Sequence, residues 1–198
     1  MSISLQKGQK ISLTKESSAL NKVIIGLGWD QIEQKAAGFS FFSKKPANID
    51  CDASALLLQG GEIKDKSDVV YFGNLKHKSK SVEHMGDNLT GAGEGDDEQI
   101  LVELSKVPEI YDKIVLVVNI YKALDRNQHF GMIKNAFIRF VDVNTKKELC
   151  KYNLTDDYSG KTAMIFGELY RHNGEWKFSA IGQGTNDPGL SEIIKSYS

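Results

Sequence analysis

Along much of this chain apolar residues alternate with polar ones, and a recurrence every three or four positions is rare. Val23, Ile25, Leu27 and Trp29 fall on one side of a period-two pattern, which predicts a strand over about residues 22–29. Residues 49–58 read as a second strand, closed by Gly60 and Gly61, and Val69–Phe72 as a short third. Ile100, Val102 and Leu104 alternate again. Lys113 to Tyr121 is almost continuously apolar, the mark of a strand buried on both faces. Residues 135–143 follow as another strand. The stretches 162–172 and 175–181 flank Asn173-Gly174, a strong signal for a two-residue hairpin. Helical patterns are confined to short pieces at 108–112, 124–132 and 190–197. Many strands with little crossover helix predict an all-β chain, an antiparallel β-sandwich with a few short helices. With no Pro/Gly/Ser-rich linker, residues 1–198 read as a single domain.

Composition narrows the function without naming it. Hydrophobic residues make up 40% and charged residues 26% of the chain, ordinary values for a soluble globular protein. No apolar run approaches the ~20 residues of a membrane-spanning helix. Met1-Ser2-Ile3-Ser4 lacks the charged and apolar regions of a signal peptide, and Cys51 and Cys150 are isolated, so the expected location is the cytoplasm. The net charge of −1 argues against nucleic acid as a partner.

One stretch resists a packing explanation. Residues 86–98 hold five acids (Asp87, Glu94, Asp96, Asp97 and Glu98), no base and four glycines, leaving the rest of the chain at +4. Such a loop can fold back and aim carbonyls and carboxylates inward, the oxygen cage that calcium takes. Asp87, Asn88, Asp96, Asp97 and Glu98 would supply side-chain oxygens, and Gly91, Gly93 and Gly95 the turns. Five carboxylates would repel a phosphate, so the glycines do not make a nucleotide loop. Counting from Asp87, Leu89, Gly91 and Ala92 stand where an EF-hand wants oxygen, oxygen and glycine. Asp50 and Asp52 lie two apart in a predicted strand, so both project from one face, and Asp30 is a third candidate. A solvated edge strand and a flexible acidic tip are the plainer alternatives.

The order Gly26-Leu27-Gly28-Trp29-Asp30, Asp50-Cys51-Asp52-Ala53 and His84 through Glu98 resembles the TerD family of tellurium-resistance and bacterial stress proteins, as do Asn135–Arg139, Glu168–Arg171 and Glu175–Phe178. The resemblance covers essentially the whole chain. It implies a calcium-binding β-sandwich without established enzymatic activity, and a cytoplasmic stress role with membrane-associated partners of the same resistance system. The chain departs from the family at Cys51, where Leu is frequent, and in a long 31–48 segment.

That segment carries Phe39, Phe41 and Phe42 beside Lys44 and Lys45, the composition of a contact for a membrane surface or a partner at the inner face of the membrane; the alternative is that the rings tuck into the sandwich edge. Among enzymes, a metal-dependent phosphoesterase using the clustered carboxylates is the alternative. The four histidines show no zinc-hydrolase spacing, and there is no G-x-S-x-G elbow. Tyr170-Arg171-His172 reads as a solvated hairpin end or, less simply, as an anion contact.

Overall fold

The structure is a computed structural model that describes residues 2–16, 20–31, 49–87 and 95–198. In chain order its strands are β1 (Ile3–Leu5), β2 (Lys10–Ser12), β3 (Lys22–Gln31), β4 (Cys51–Leu58), β5 (Val69–Val70), β6 (Val82–Asp87), β7 (Glu98–Glu103), β8 (Lys113–Ile120), β9 (Ile133–Asp142), β10 (Glu148–Asn153), β11 (Ala163–His172) and β12 (Glu175–Thr185). Among the described residues they form two six-stranded sheets, ordered β1-β10-β9-β3-β7-β6 and β2-β12-β11-β8-β4-β5, accompanied by the short helices α1 (Leu13–Glu16), α2 (Ala123–Arg126) and α3 (Leu190–Lys195). All pairings are antiparallel except β1 with β10. The sandwich expected from the alternation is therefore the observed fold.

The core lies between the sheets. Val23, Ile25 and Leu27 of β3 and Ile100 and Val102 of β7 face Ile114, Leu116 and Val118 of β8 within one buried cluster. Phe140 and Phe178 meet across it with ring centroids 4.4 Å apart. Trp29 ends its strand partly buried against this cluster. β8 is buried on both faces as its composition predicts, but a helix rather than a parallel sheet supplies the second cover. Val115 and Val117 pack with Leu56, Leu58 and Ile193, the last from α3 (Leu190–Lys195). The Asn173-Gly174 hairpin has both turn residues at positive φ, 52° and 75°, as a two-residue turn matched to strand twist requires.

The other helical expectations resolve into turns. Residues 108–112 form a turn closed by the Tyr111 N–H on the Pro108 carbonyl, 3.0 Å. The 124–132 region splits into α2 (Ala123–Arg126) and a 3-10 turn at Phe130–Met132, because Asn127 adopts a left-handed conformation that stops the helix.

The connection between β4 and β6 folds over a buried polar network. A 3-10 turn at Lys66–Asp68 sets Asp68 beneath His77 and Tyr111, each at most 1% exposed. The Tyr111 hydroxyl donates to Asp68 Oδ1 at 2.7 Å, Lys78 Nζ lies 2.9 Å from the same oxygen, and His77 Nε2 lies at 3.3 Å. His77 Nδ1 accepts the Ser79 N–H at 3.2 Å, which leaves Nε2 as the protonated nitrogen facing Asp68.

Candidate functional site

The acidic stretch begins and ends in strand. Asp87 closes β6, Glu98 opens β7, and the two are paired in register; residues 88–94 lie outside the described residues. Asn88, Gly91 and Gly93 fall in that span, and Phe39, Phe41, Phe42, Lys44 and Lys45 likewise lie outside the described residues.

The three acids that follow are each anchored to a different part of the scaffold. On the outer face of the first sheet, Gln99 of β7, Gly26 of β3 and Arg139 of β9 form one row across three strands. Asp96 lies over the middle of that row. Arg139 grips it through two hydrogen bonds, Nε to Oδ1 at 2.7 Å and Nη2 to Oδ2 at 3.1 Å, and Gln99 Nε2 donates to it at 3.0 Å. The Asp96 side chain is only 2% exposed. Gly26 is what makes room: a Cβ there would overlap the Asp96 carboxyl, and one on Gly28 would sit 2.5 Å from the Phe137 ring. Gly26 is thus a steric requirement of the loop end that crosses it, and Gly28 one of the neighbouring strand's Phe137.

Asp97 extends the β3–β7 ladder past its last regular pair. Its N–H donates to the Leu27 carbonyl, and its carboxylate accepts the Trp29 N–H, both at 2.7 Å. On the other side of β3 the pairing with β9 shifts register between Gly28 and Asp30, where β9 carries one extra residue. Partial burial pushes the Asp97 carboxyl up from its ordinary range, the Trp29 N–H opposes this, and the negative charges of Asp30 and Asp96 add to the rise.

Glu98 points inward. It is 3% exposed and accepts the Ala53 N–H from β4, so it ties the first sheet to the second at the stretch of β4 that β5 leaves unpaired. His84 of β6 lies beside it, with Nδ1 accepting the Gly86 N–H at 3.0 Å and Nε2 3.6 Å from Glu98.

The remaining candidates sit around this junction. Asp30 accepts a hydrogen bond from Asn135 Nδ2 at 2.7 Å and is exposed. Asp52 lines the outer side of the second sheet while Cys51 and Ala53 enter the core, and Asp50 is exposed just before β4 begins. Burial and the charges of Asp52, Glu98, Asp50 and Asp97 hold the Cys51 thiol well above its usual value, an inert buried thiol amid negative charge. Among the described residues, no three His, Cys, Asp or Glu side chains gather closely enough to hold an ion by themselves. The donors are nonetheless hard carboxylate oxygens, the kind calcium takes.

Sequence reasoning did not single out Arg139, Gln99, Asn135 or His84 as parts of this site, and all four hold its acids or flank them. Arg171, by contrast, is structural: it donates to the Val107 and Tyr111 carbonyls at 2.6 and 3.2 Å and stacks on Trp176.

With this geometry in view, the comparisons with known proteins are specific. The family model described as the TerD domain matches residues 1–197. The stress response protein SCP2 of Bacillus subtilis (strain 168) is 54% identical, with all of both chains covered. The tellurium resistance protein TerD of Serratia marcescens is 45% identical over all of this chain and 97% of its own. The crystal structure of SAV2460, a protein of unknown function, superposes with a TM-score of 0.64 at 23% identity, covering 88% of this chain and 95% of that one, which shows a shared fold.

Proposed function

The chain belongs to the TerD family, and from that premise we propose that it acts in the stress response and in resistance to tellurite as a calcium-dependent binding module rather than as an enzyme. The relatives are named for stress and resistance and not for a reaction, which favours this reading over a phosphoesterase. Its partners in this reading are membrane-associated proteins of the same resistance system, met in the cytoplasm at the inner face of the membrane. No helix among the described residues is long and apolar enough to cross a membrane.

The calcium part rests on one observation. Asp97 is pushed up by partial burial and by Asp30 and Asp96, so its ionised form is disfavoured where it stands. A divalent cation reverses that preference. Asp30, Asp50, Asp52, Asp97 and Glu98 are the described residues that would contribute charge, with residues of the loop completing the set.

Asp97→Asn separates the two effects. The amide oxygen still accepts the Trp29 N–H while the charge is gone. Calcium affinity measured by calorimetry, with magnesium and manganese as competitors, should fall roughly tenfold. Metal-free stability at neutral pH should hold or rise. For the native chain, calcium at a hundredfold its Kd should add ~2.7 kcal/mol of stability. No heat on titration, with melting unchanged by millimolar calcium or by chelator, overturns the reading.

A further inference from the structure

The outer face of the second sheet changes character along β4 and β8. One half, with Leu56, Leu58, Val115 and Val117, is apolar and lies under α3. The other half carries Asp52, Ser54 and Asn119, and there α3 forms only a wall. The result is a cavity of about 920 Å³, within the roughly 300–1,000 Å³ of small-molecule sites.

Its floor is polar, and two of its buried atoms are unpaired. Ser54 and Asn119 are 1% and 6% exposed, and Ser54 Oγ and Asn119 Oδ1 have no hydrogen-bond partner among the described residues. Buried polar atoms almost always find one. Asn119 Oδ1 can only accept, so whatever meets it must donate, and the amide carries its own donor alongside. That side-by-side acceptor and donor is the pattern with which an asparagine pairs with the edge of adenine. The walls are apolar and partly aromatic: Tyr71, Tyr121 and Leu190 line the cavity, with Phe72 and Leu124, 57% and 67% exposed, also on it.

We infer that this cavity binds a planar amino-substituted heteroaromatic ring of the adenine type, with its amino edge on Asn119 and Ser54 and its faces against the aromatic walls. Such a ring comes either as a base or nucleoside or as a nucleotide, and Lys64, Lys66 and Lys122 on the lining give a phosphate somewhere to go. Asp52, one of the acids of the proposed calcium set, also lines this cavity, so the ligand is titrated free of metal.

Titration of the full chain with adenosine, AMP and purine riboside, in excess EDTA and followed by calorimetry and backbone NMR, tests this. Adenosine should shift the amide signals of residues 52–54 and 119–124 and leave those of 135–139 in place. Purine riboside, which lacks the amino group, should bind about tenfold more weakly or worse. Tighter binding of AMP than of adenosine identifies the phosphorylated source, and equal binding the unphosphorylated one. Asn119→Leu and Ser54→Ala should lose affinity while melting at the same temperature or higher, because each removes a buried polar atom that the fold leaves unpaired. Silence of both adenosine and AMP at millimolar concentration, or unchanged adenosine affinity in Asn119→Leu, overturns the inference. So does a lowered melting temperature in both variants, which would assign the two groups to the fold.

Discussion

Replacing Arg139 with methionine should cost on the order of 3 kcal/mol in urea unfolding, far more than a surface ion pair is worth. Arg139 is about one-third exposed, but Asp96 is not: its side chain is 2% accessible and lies across three strands with Arg139 as its bidentate cation. Removing the cation takes from a buried carboxylate its bidentate partner, which costs more than the pair contributes when intact. The double change Arg139→Met with Asp96→Leu should therefore recover much of the loss. In the single variant the negative charge of Asp96 is no longer matched by the Arg139 guanidinium, so calcium affinity should rise while metal-free stability falls. A cost below about 0.5 kcal/mol for Arg139→Met would show that the pair does not anchor this end of the loop.

Asp68→Ala should be as damaging, about 3–5 kcal/mol by the same measurement, because Tyr111, His77 and Lys78 all converge on the lost carboxylate and two of them are fully buried. The network also gives stability a defined pH dependence. Burial alone would raise the Asp68 carboxyl, but hydrogen bonds from Tyr111, Lys78 and His77 more than offset it and hold it below the ordinary range. Its contribution is thus present above the usual carboxylate value of about 3.9 and lost as pH falls through the depressed folded value. Burial lowers His77, and Asp68 only partly restores it. The unfolded chain then binds a proton more readily than the folded one, so stability begins to fall as pH drops below about 6.5. Acid unfolding should show both windows, with His77→Gln removing the upper one and Asp68→Asn the lower. A profile flat between pH 7 and 5 that His77→Gln leaves unaltered would contradict this account.

What the chain discloses before it folds depends on distance along it. β3, β4, β8 and the β11–β12 hairpin were legible because their signals are local: alternation, a continuous apolar run, an Asn-Gly turn. β1, β2 and β10 are short or half polar, and a three-residue stretch such as Lys10–Ser12 carries too little pattern to register. Glu83, His84 and Asp87 mask the period of β6. The acids of the candidate site were visible as a cluster, and their anchors were not. Arg139 stands 43 residues from Asp96 and becomes its neighbour only through the β9–β3–β7 pairing. Spacing also made Asp96, Asp97 and Glu98 look equivalent, whereas the fold sends one onto the outer face, one along a strand edge and one between the sheets. The glycines of the 26–30 motif are the exception in which a local signal had a distant cause: Gly26 leaves room for Asp96, and Gly28 for the Phe137 ring.

The first twelve residues join both layers: β1 lies along β10 at one end of the first sheet, and β2 along β12 at one end of the second. Ser2 hydrogen-bonds Glu148, 146 positions away. β1 and β2 are therefore made well before the strands they dock on, since β10 and β12 follow them by more than 130 residues. Until then both layers carry an open rim of unpaired backbone, the kind that recruits strands from other molecules. Closure over so long a loop is also slow. The amino-terminal seam thus makes the newborn chain most prone to aggregation late in synthesis, and protection of the β10 and β12 amides in a refolding hydrogen-exchange experiment should trail that of β8 and β11.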